Sequence, residues 1–260
     1  MSTYYRNGIT DDSAAGQIIK SDLIHTETIR WVDSATGLGG NPGTEEEPLD
    51  TLDNAISASG TDDIIILKSG HSEIISAPLS IGTKGLRIFG LGSGTSAPSF
   101  TCNAAIDMLT LADESIYIDN LRLLAGTTAV NTSRLRFNDA RCTIINCTFL
   151  CGVNDSDTIF LSASADVARI ENCTFIVTAD GPNKGINGGA VGINFLYVKG
   201  CTFDAASIGW DDGAIFSDQA LISFLYENNI LKNGADIIHT STATGLVTGT
   251  VADNDCRVEV

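Results

Sequence analysis

Asp211-Asp212 is the one pair of adjacent carboxylates in the chain with an aromatic neighbour, Trp210. Two carboxylates can divide acid and base work in glycoside cleavage, one protonating the leaving oxygen while the other activates water or attacks. Trp210, like Trp31, is of the residue type that stacks on a sugar ring. His71 beside Glu73 offers an imidazole–carboxylate acid/base pair. Asp155-Ser-Asp157 and Asp180 offer alternate oxygen ligands of the kind that converge on calcium. His239, followed by Thr-Ser-Thr, sits on an expected turn and carries little weight. Each constellation also has a plainer reading: a solvated turn at Asp211 and Asp212, ordinary acidic loops at Asp155, Asp157 and Asp180, and surface or cap packing for His71.

Composition narrows what such residues can serve. Lys+Arg number 15 against 32 Asp+Glu, a net charge of −17 in 260 residues. That charge repels phosphate backbones and anionic lipid, so neither nucleic acid nor a membrane surface is expected as a partner. No apolar run reaches eighteen residues. The first thirty residues lack an apolar signal segment with a cleavage site, so Sec export is not expected. The seven cysteines form no Cys-x-x-Cys pair and read as reduced thiols used as small hydrophobes, and the scattered His25, His71 and His239 make no zinc site.

An internal repeat organises the rest of the chain. Seven segments align: Leu86-Arg-Ile-Phe-Gly90, Ile116-Tyr-Ile-Asp-Asn120, Cys142-Thr-Ile-Ile-Asn146, Ala168-Arg-Ile-Glu-Asn172, Leu196-Tyr-Val-Lys-Gly200, Phe224-Leu-Tyr-Glu-Asn228 and Thr250-Val-Ala-Asp-Asn254. Their last residues are 30, 26, 26, 28, 28 and 26 apart. Three copies continue into Cys-Thr-Phe, at Cys147, Cys173 and Cys201. The period is two within each copy, so each reads as strand, turn, strand. Asn and Gly enter the left-handed region most cheaply, so the column they share marks a sharp bend. Phe149, Phe175 and Phe203 then form one column, with Leu123 before it and Leu231 after. A unit of this size buries its inward side chains only by stacking copies. The spacing therefore predicts an all-β, single-stranded, right-handed parallel β-helix with three strands per coil. Its Asn column lies at one corner and its Cys and Phe columns inside. The cysteine column could be a redox or metal stripe, but core packing is the favoured reading.

The opening segment carries a resemblance. Trp31-Val-Asp-Ser-Ala-Thr-Gly37, Asn41-Pro-Gly-Thr44, Pro48-Leu-Asp-Thr-Leu52, Asn54-Ala-Ile56 and Thr61-Asp-Asp-Ile-Ile-Ile-Leu67 resemble the start of a pectin-lyase-like β-helix. The resemblance implies a short helix capping the first coil, with Thr51 as its N-cap and Leu52, Ala55 and Ile56 on one face. Gly70-His-Ser-Glu-Ile-Ile75, Leu86-Arg-Ile-Phe-Gly-Leu-Gly92 and Pro98-Ser-Phe100 are similar, more narrowly, to β-helix proteins of tailed bacteriophages. The expected division is an arm over 1–29, an opening segment with the cap helix over 30–80, and coils over 81–260.

Function follows from what accompanies that frame. Polygalacturonases pair two aspartates with Asn-Thr-Asp, Gly-His-Gly and Arg-Ile-Lys motifs, and pectate lyases carry Arg-x-Pro-x-x-Arg. This chain has none of these sets; Gly70-His71 precedes Asp211-Asp212 instead of following it. No catalytic, cofactor-binding or metal-ligating residue is therefore assigned, no cofactor is expected, and the chain is read as not an enzyme. The phage-like resemblance implies a structural virion protein, a capsid decoration (cement) protein on the head surface. It would be homotrimeric, partnered by the major capsid protein or another virion protein, and made in the host cytoplasm. The N-terminal arm would grip a neighbour, and the C-terminal end, which shows no capping helix, would be covered from outside. The alternative is a polysaccharide-binding or -cleaving β-helix, tailspike-like or lyase/hydrolase-like, with Trp31 and Trp210 as sugar stackers. A bacterial adhesin is disfavoured by the missing export signal.

Overall fold

A computed structural model describes residues 27–125, 133–152, 157–178, 184–188, 195–206, 210, 213–217, 223–239, 244–252 and 258–259. The chain winds as a parallel β-solenoid with three parallel sheets, visited in turn by each coil from Ile64–Leu67 onward. The first sheet has nine strands, from Ile29–Val32 to Thr244–Thr248. The second has eight, from Ser72–Ile75 to Val251–Ala252, and the third eight, from Leu79–Ile81 to Val258–Glu259.

The register follows the alternation in the sequence. In the first sheet Ile88, Ile118, Ile144, Ile170 and Val198 lie in one inward column. In the second, Leu123, Phe149, Phe175, Phe203 and Leu231 do the same. The three phenylalanine rings stack at centroid distances of 4.7 and 4.6 Å, with planes 5° and 10° apart. That spacing is the rise between coils, about 4.8 Å, so the ladder hydrogen bonds set the ring stack.

The corner between the first and second sheets is left-handed at Asn120, Asn146, Asn172, Gly200, Asn228 and Gly249. Each of the first five donates its N–H to the coil above, as Asn146 does to the carbonyl of Glu171 at 3.0 Å. Both ends of the expected column need correction. Gly90 is a strand residue, and the first left-handed glycine after that strand is Gly92. At the other end Glu227 pairs with Thr248, which puts Gly249 at the corner instead of Asn254, itself outside the described residues.

Cys147, Cys173 and Cys201 stand just past this corner and are buried. Their thiols do more than fill space. Cys147 Sγ accepts from the N–H of Leu121 at 3.5 Å, and Cys201 Sγ from the N–H of Cys173 at 3.4 Å. One coil on, the buried Asn229 takes the same position, accepting from Cys201 N at 2.9 Å and donating to the Val198 carbonyl at 3.0 Å. Turn N–H groups that no strand can satisfy are thereby paired from the next coil. All six described cysteines are buried; Cys256 lies outside the described residues. Burial raises the Cys142 thiol to about 11, which suits an inert core thiol.

Helix Leu52–Ala58 caps the first coil as expected. Thr51 Oγ1 accepts from Asn54 N at 3.2 Å, and Leu52, Ala55 and Ile56 are buried.

Candidate functional site

A solenoid offers chemistry where its outward rows line up, because residues one coil apart are neighbours about 4.8 Å away. On the third sheet, Thr110, Arg136, Phe160, Asn187 and Phe216 make one such row. Its strands put Leu109, Leu135, Ile159, Ile186 and Ile215 in the core, and period two turns the next residue outward. Phe160 and Phe216 are thus partly exposed on the outer wall.

Cations and carboxylates surround these rings. The Arg136 guanidinium lies over the Phe160 ring, 4.6 Å from its centroid, and the Lys184 ammonium lies 4.7 Å from the centroid of Phe216. Arg136 Nη1 also reaches Asp107 Oδ2 at 3.2 Å, and Asp107 Oδ1 accepts from Ser133 Oγ at 2.6 Å. Asn187 Nδ2 donates to Asp157 Oδ2 at 2.9 Å. The wall therefore holds guanidinium, ammonium, amide and carboxylate groups beside partly exposed aromatic rings. These are the groups that hydrogen-bond sugar hydroxyls, with apolar ring surface between them. Phe160 and Phe216 are two coils apart, about 9.6 Å, close to the length of a disaccharide in an extended chain.

The singled-out residues fall unevenly against this wall. Asp155, Asp180, Asp211 and Asp212 lie outside the described residues; in sequence each belongs to a connection from a second-sheet strand to a third-sheet strand. Asp157 is not a loop residue: it opens strand Asp157–Leu161 and is buried. His239 ends strand Ile237–His239 instead of lying on a turn. Neither tryptophan is free to stack on a sugar. Trp210 is 8% exposed, packed edge-on against Phe203 inside the solenoid, and Trp31 is 7% exposed among Ile64, Ile66, Phe89 and Leu91. The outward phenylalanines escape a reading of the sequence that places phenylalanine on core columns. Their signal is the offset of Ile-Phe at 159–160 and 215–216 from the inward Phe column of the second sheet.

His71 is buried and holds the cap. Its Nδ1 accepts from Ser34 N at 2.9 Å, so Nε2 carries the proton toward Glu73 Oε1 at 2.6 Å. The same Glu73 oxygen accepts from Leu52 N at 2.7 Å, at the start of the cap helix. This is a latch between opening loop, helix and first coil. Elsewhere, Arg169 forks onto Glu171, lies over Tyr197, and neighbours the Lys199–Glu227 pair on the first sheet. Among the described residues no cluster of three or more His, Cys, Asp or Glu is arranged to hold a metal ion.

No family model matches the chain, and no curated protein matches it. Among solved structures, a rhamnogalacturonan lyase superposes with a TM-score of 0.60 over 89% of this chain, at 14% identity. The fold is shared. The chain spans 62% of that lyase's length. This supports the pectin-lyase-like architecture that the opening segment resembles and is not specific to bacteriophage. It also corrects the expectation that the chain is not an enzyme, because the fold neighbour is one. Missing polygalacturonase and pectate-lyase motifs are no ground for excluding catalysis on a fold whose members place chemistry on different side-chain sets.

Proposed function

We propose that this chain is a polysaccharide-binding or -cleaving β-helix, and that a linear sugar chain lies along the outer wall of the third sheet, parallel to the solenoid axis. The observation that carries the reading is the row Arg136–Phe160–Asn187–Phe216 flanked by Asp107, Asp157 and Lys184. The likeness to a polysaccharide lyase supports it at the level of fold. In sequence, the connections that contain Asp155, Asp180 and Asp211-Asp212 each lead to a strand of this same sheet. Of the two readings weighed on the sequence, the carbohydrate one thus has observations behind it.

The test is affinity electrophoresis of the full chain through gels containing acidic and neutral polysaccharides, paired with assays for new reducing ends and for unsaturated sugar products. At least one polymer should retard the wild-type chain, and Phe160→Ala with Phe216→Ala should abolish the retardation while leaving the circular dichroism unchanged. A wild-type chain retarded by nothing in an otherwise active panel, or a double variant retarded as strongly as wild type, would sink the proposal. Product formation would then separate cleavage from binding alone.

A further inference from the structure

The second sheet has an outer face unlike the other two. Its strands are short, and their outward residues form two straight rows. One row holds Ile74, Leu124, Leu150 and Ile176, and the other holds Thr148 and Thr174 at its centre. Ile74 is 72% exposed and Ile230 is 41% exposed, two of the four large hydrophobic side chains most open to solvent among the described residues. Charge is sparse here: Arg122, Asp204 and Lys232 are the only charged outward residues in the paired strands. The corresponding rows of the first sheet, by contrast, are laced with ion pairs. In a chain carrying −17, an apolar, hydroxyl-rich strip is where a second copy can approach with least repulsion.

The positions of the charges say how it approaches. In sheet order Arg122 is on the third of eight strands and Asp204 on the sixth, equally far from the midpoint between Thr148–Cys151 and Thr174–Val177. A twofold axis parallel to the strands at that midpoint exchanges third with sixth and fourth with fifth. It sets Leu150 on the partner's Ile176, Thr148 on the partner's Thr174, and Arg122 beside the partner's Asp204, each contact made twice. A parallel pair or a threefold ring sets each strand level with its own copy, which brings Arg122 to the level of the partner's Arg122 and Asp204 to that of the partner's Asp204. Among the described residues neither charge has an ion-pair partner: Arg122 donates to the Thr95 carbonyl at 3.3 Å, and Asp204 Oδ1 caps Ala206 N at 2.9 Å and accepts from Asn233 at 2.7 Å, both side chains staying partly open.

We infer that the outer face of the second sheet is an interface between two copies of this chain, packed face to face and antiparallel. The central Leu150 and Ile176 supply most of the attraction; the two Arg122–Asp204 pairs, at the rim, select the antiparallel register. The inference is independent of the sugar-binding wall, which lies on a different sheet.

Sedimentation velocity on the full chain across a concentration series tests it. A reversible monomer–dimer equilibrium is expected. Leu150→Glu with Ile176→Glu should leave monomer at all concentrations with unchanged circular dichroism. Arg122→Asp or Asp204→Arg alone should weaken the dimer several-fold, and the two together should restore it. A chain monomeric throughout, a trimer, or a dimer indifferent to Leu150→Glu and Ile176→Glu would overturn the interface. Weakening by each charge variant without recovery in the double would overturn the antiparallel register.

Discussion

Asp119 is the side chain whose environment least suits its chemistry. It faces outward on the first sheet yet is 1% exposed; Oδ1 accepts from Asn146 Nδ2 at 2.8 Å, while Oδ2 is buried without a partner. Burial raises its pKa from the ordinary carboxylate value, and the Asn146 hydrogen bond only partly opposes this. The fold therefore favours the protonated acid. Below the unfolded-state pKa the group costs nothing; as pH rises from there through the raised folded value, a penalty accrues and then stays constant. Asp119→Asn should raise stability at neutral pH by about 1 kcal/mol, since an amide leaves a neutral orphan group where the carboxylate leaves a charged one. The gain should fade as pH drops below about 4. Urea unfolding of both proteins at several pH values measures it, and a gain that persisted in acid would refute the charge as its cause. Nothing in the sequence marks Asp119. Its burial depends on which neighbours the coils bring to its outward side, and the same is true of Trp31.

Elements were legible in the sequence where residue type is forced by geometry. Asn120, Asn146, Asn172, Gly200 and Asn228 could be found because few side chains tolerate a positive φ, and the Phe column because period two fixes which face it takes. The corner that leads into the first sheet is equally left-handed, at Asp62, Gly85, Ser115, Arg141 and Val167, but its mixed residue types conceal it. Val167 is the extreme member. A β-branched side chain at φ +57°, 40% exposed, bears the full steric cost of the left-handed region and gains little from burial. Val167→Asn should therefore stabilise the chain by roughly 1 kcal/mol, whereas Val167→Ile should not. Thermal unfolding of the pair decides this; an Asn variant no better than wild type would mean that the corner holds no strain. Gly200 tests the other sign, because a Cβ there would collide with Asn172 Oδ1.

A stack of coils that touch only their neighbours need not unfold all at once. The two ends of the described solenoid are unequal. At one end the Leu52–Ala58 helix covers the first coil, and the His71–Glu73 latch ties it to the opening loop. At the other, strands Val251–Ala252 and Val258–Glu259 have two residues each, so the last described ladders hold few hydrogen bonds. Native-state hydrogen exchange should accordingly show protection falling from the capped end toward the short strands, in blocks of about one coil. Phe175→Ala sharpens the test. Its ring stacks on both neighbours in mid-column, so its loss opens a cavity that two fixed ladders keep from collapsing, at a cost of about 3–5 kcal/mol. In a globular core that cost would lower the protection of every slowly exchanging amide alike. Here it should fall mostly on the coils beyond the lesion, from Thr202 through Thr248, while Ile64–Leu67 and Arg87–Gly90, anchored to the cap, keep most of theirs. Equal loss along the whole chain would show that the solenoid behaves as a single cooperative unit and that the cap has no local hold on the coils beside it.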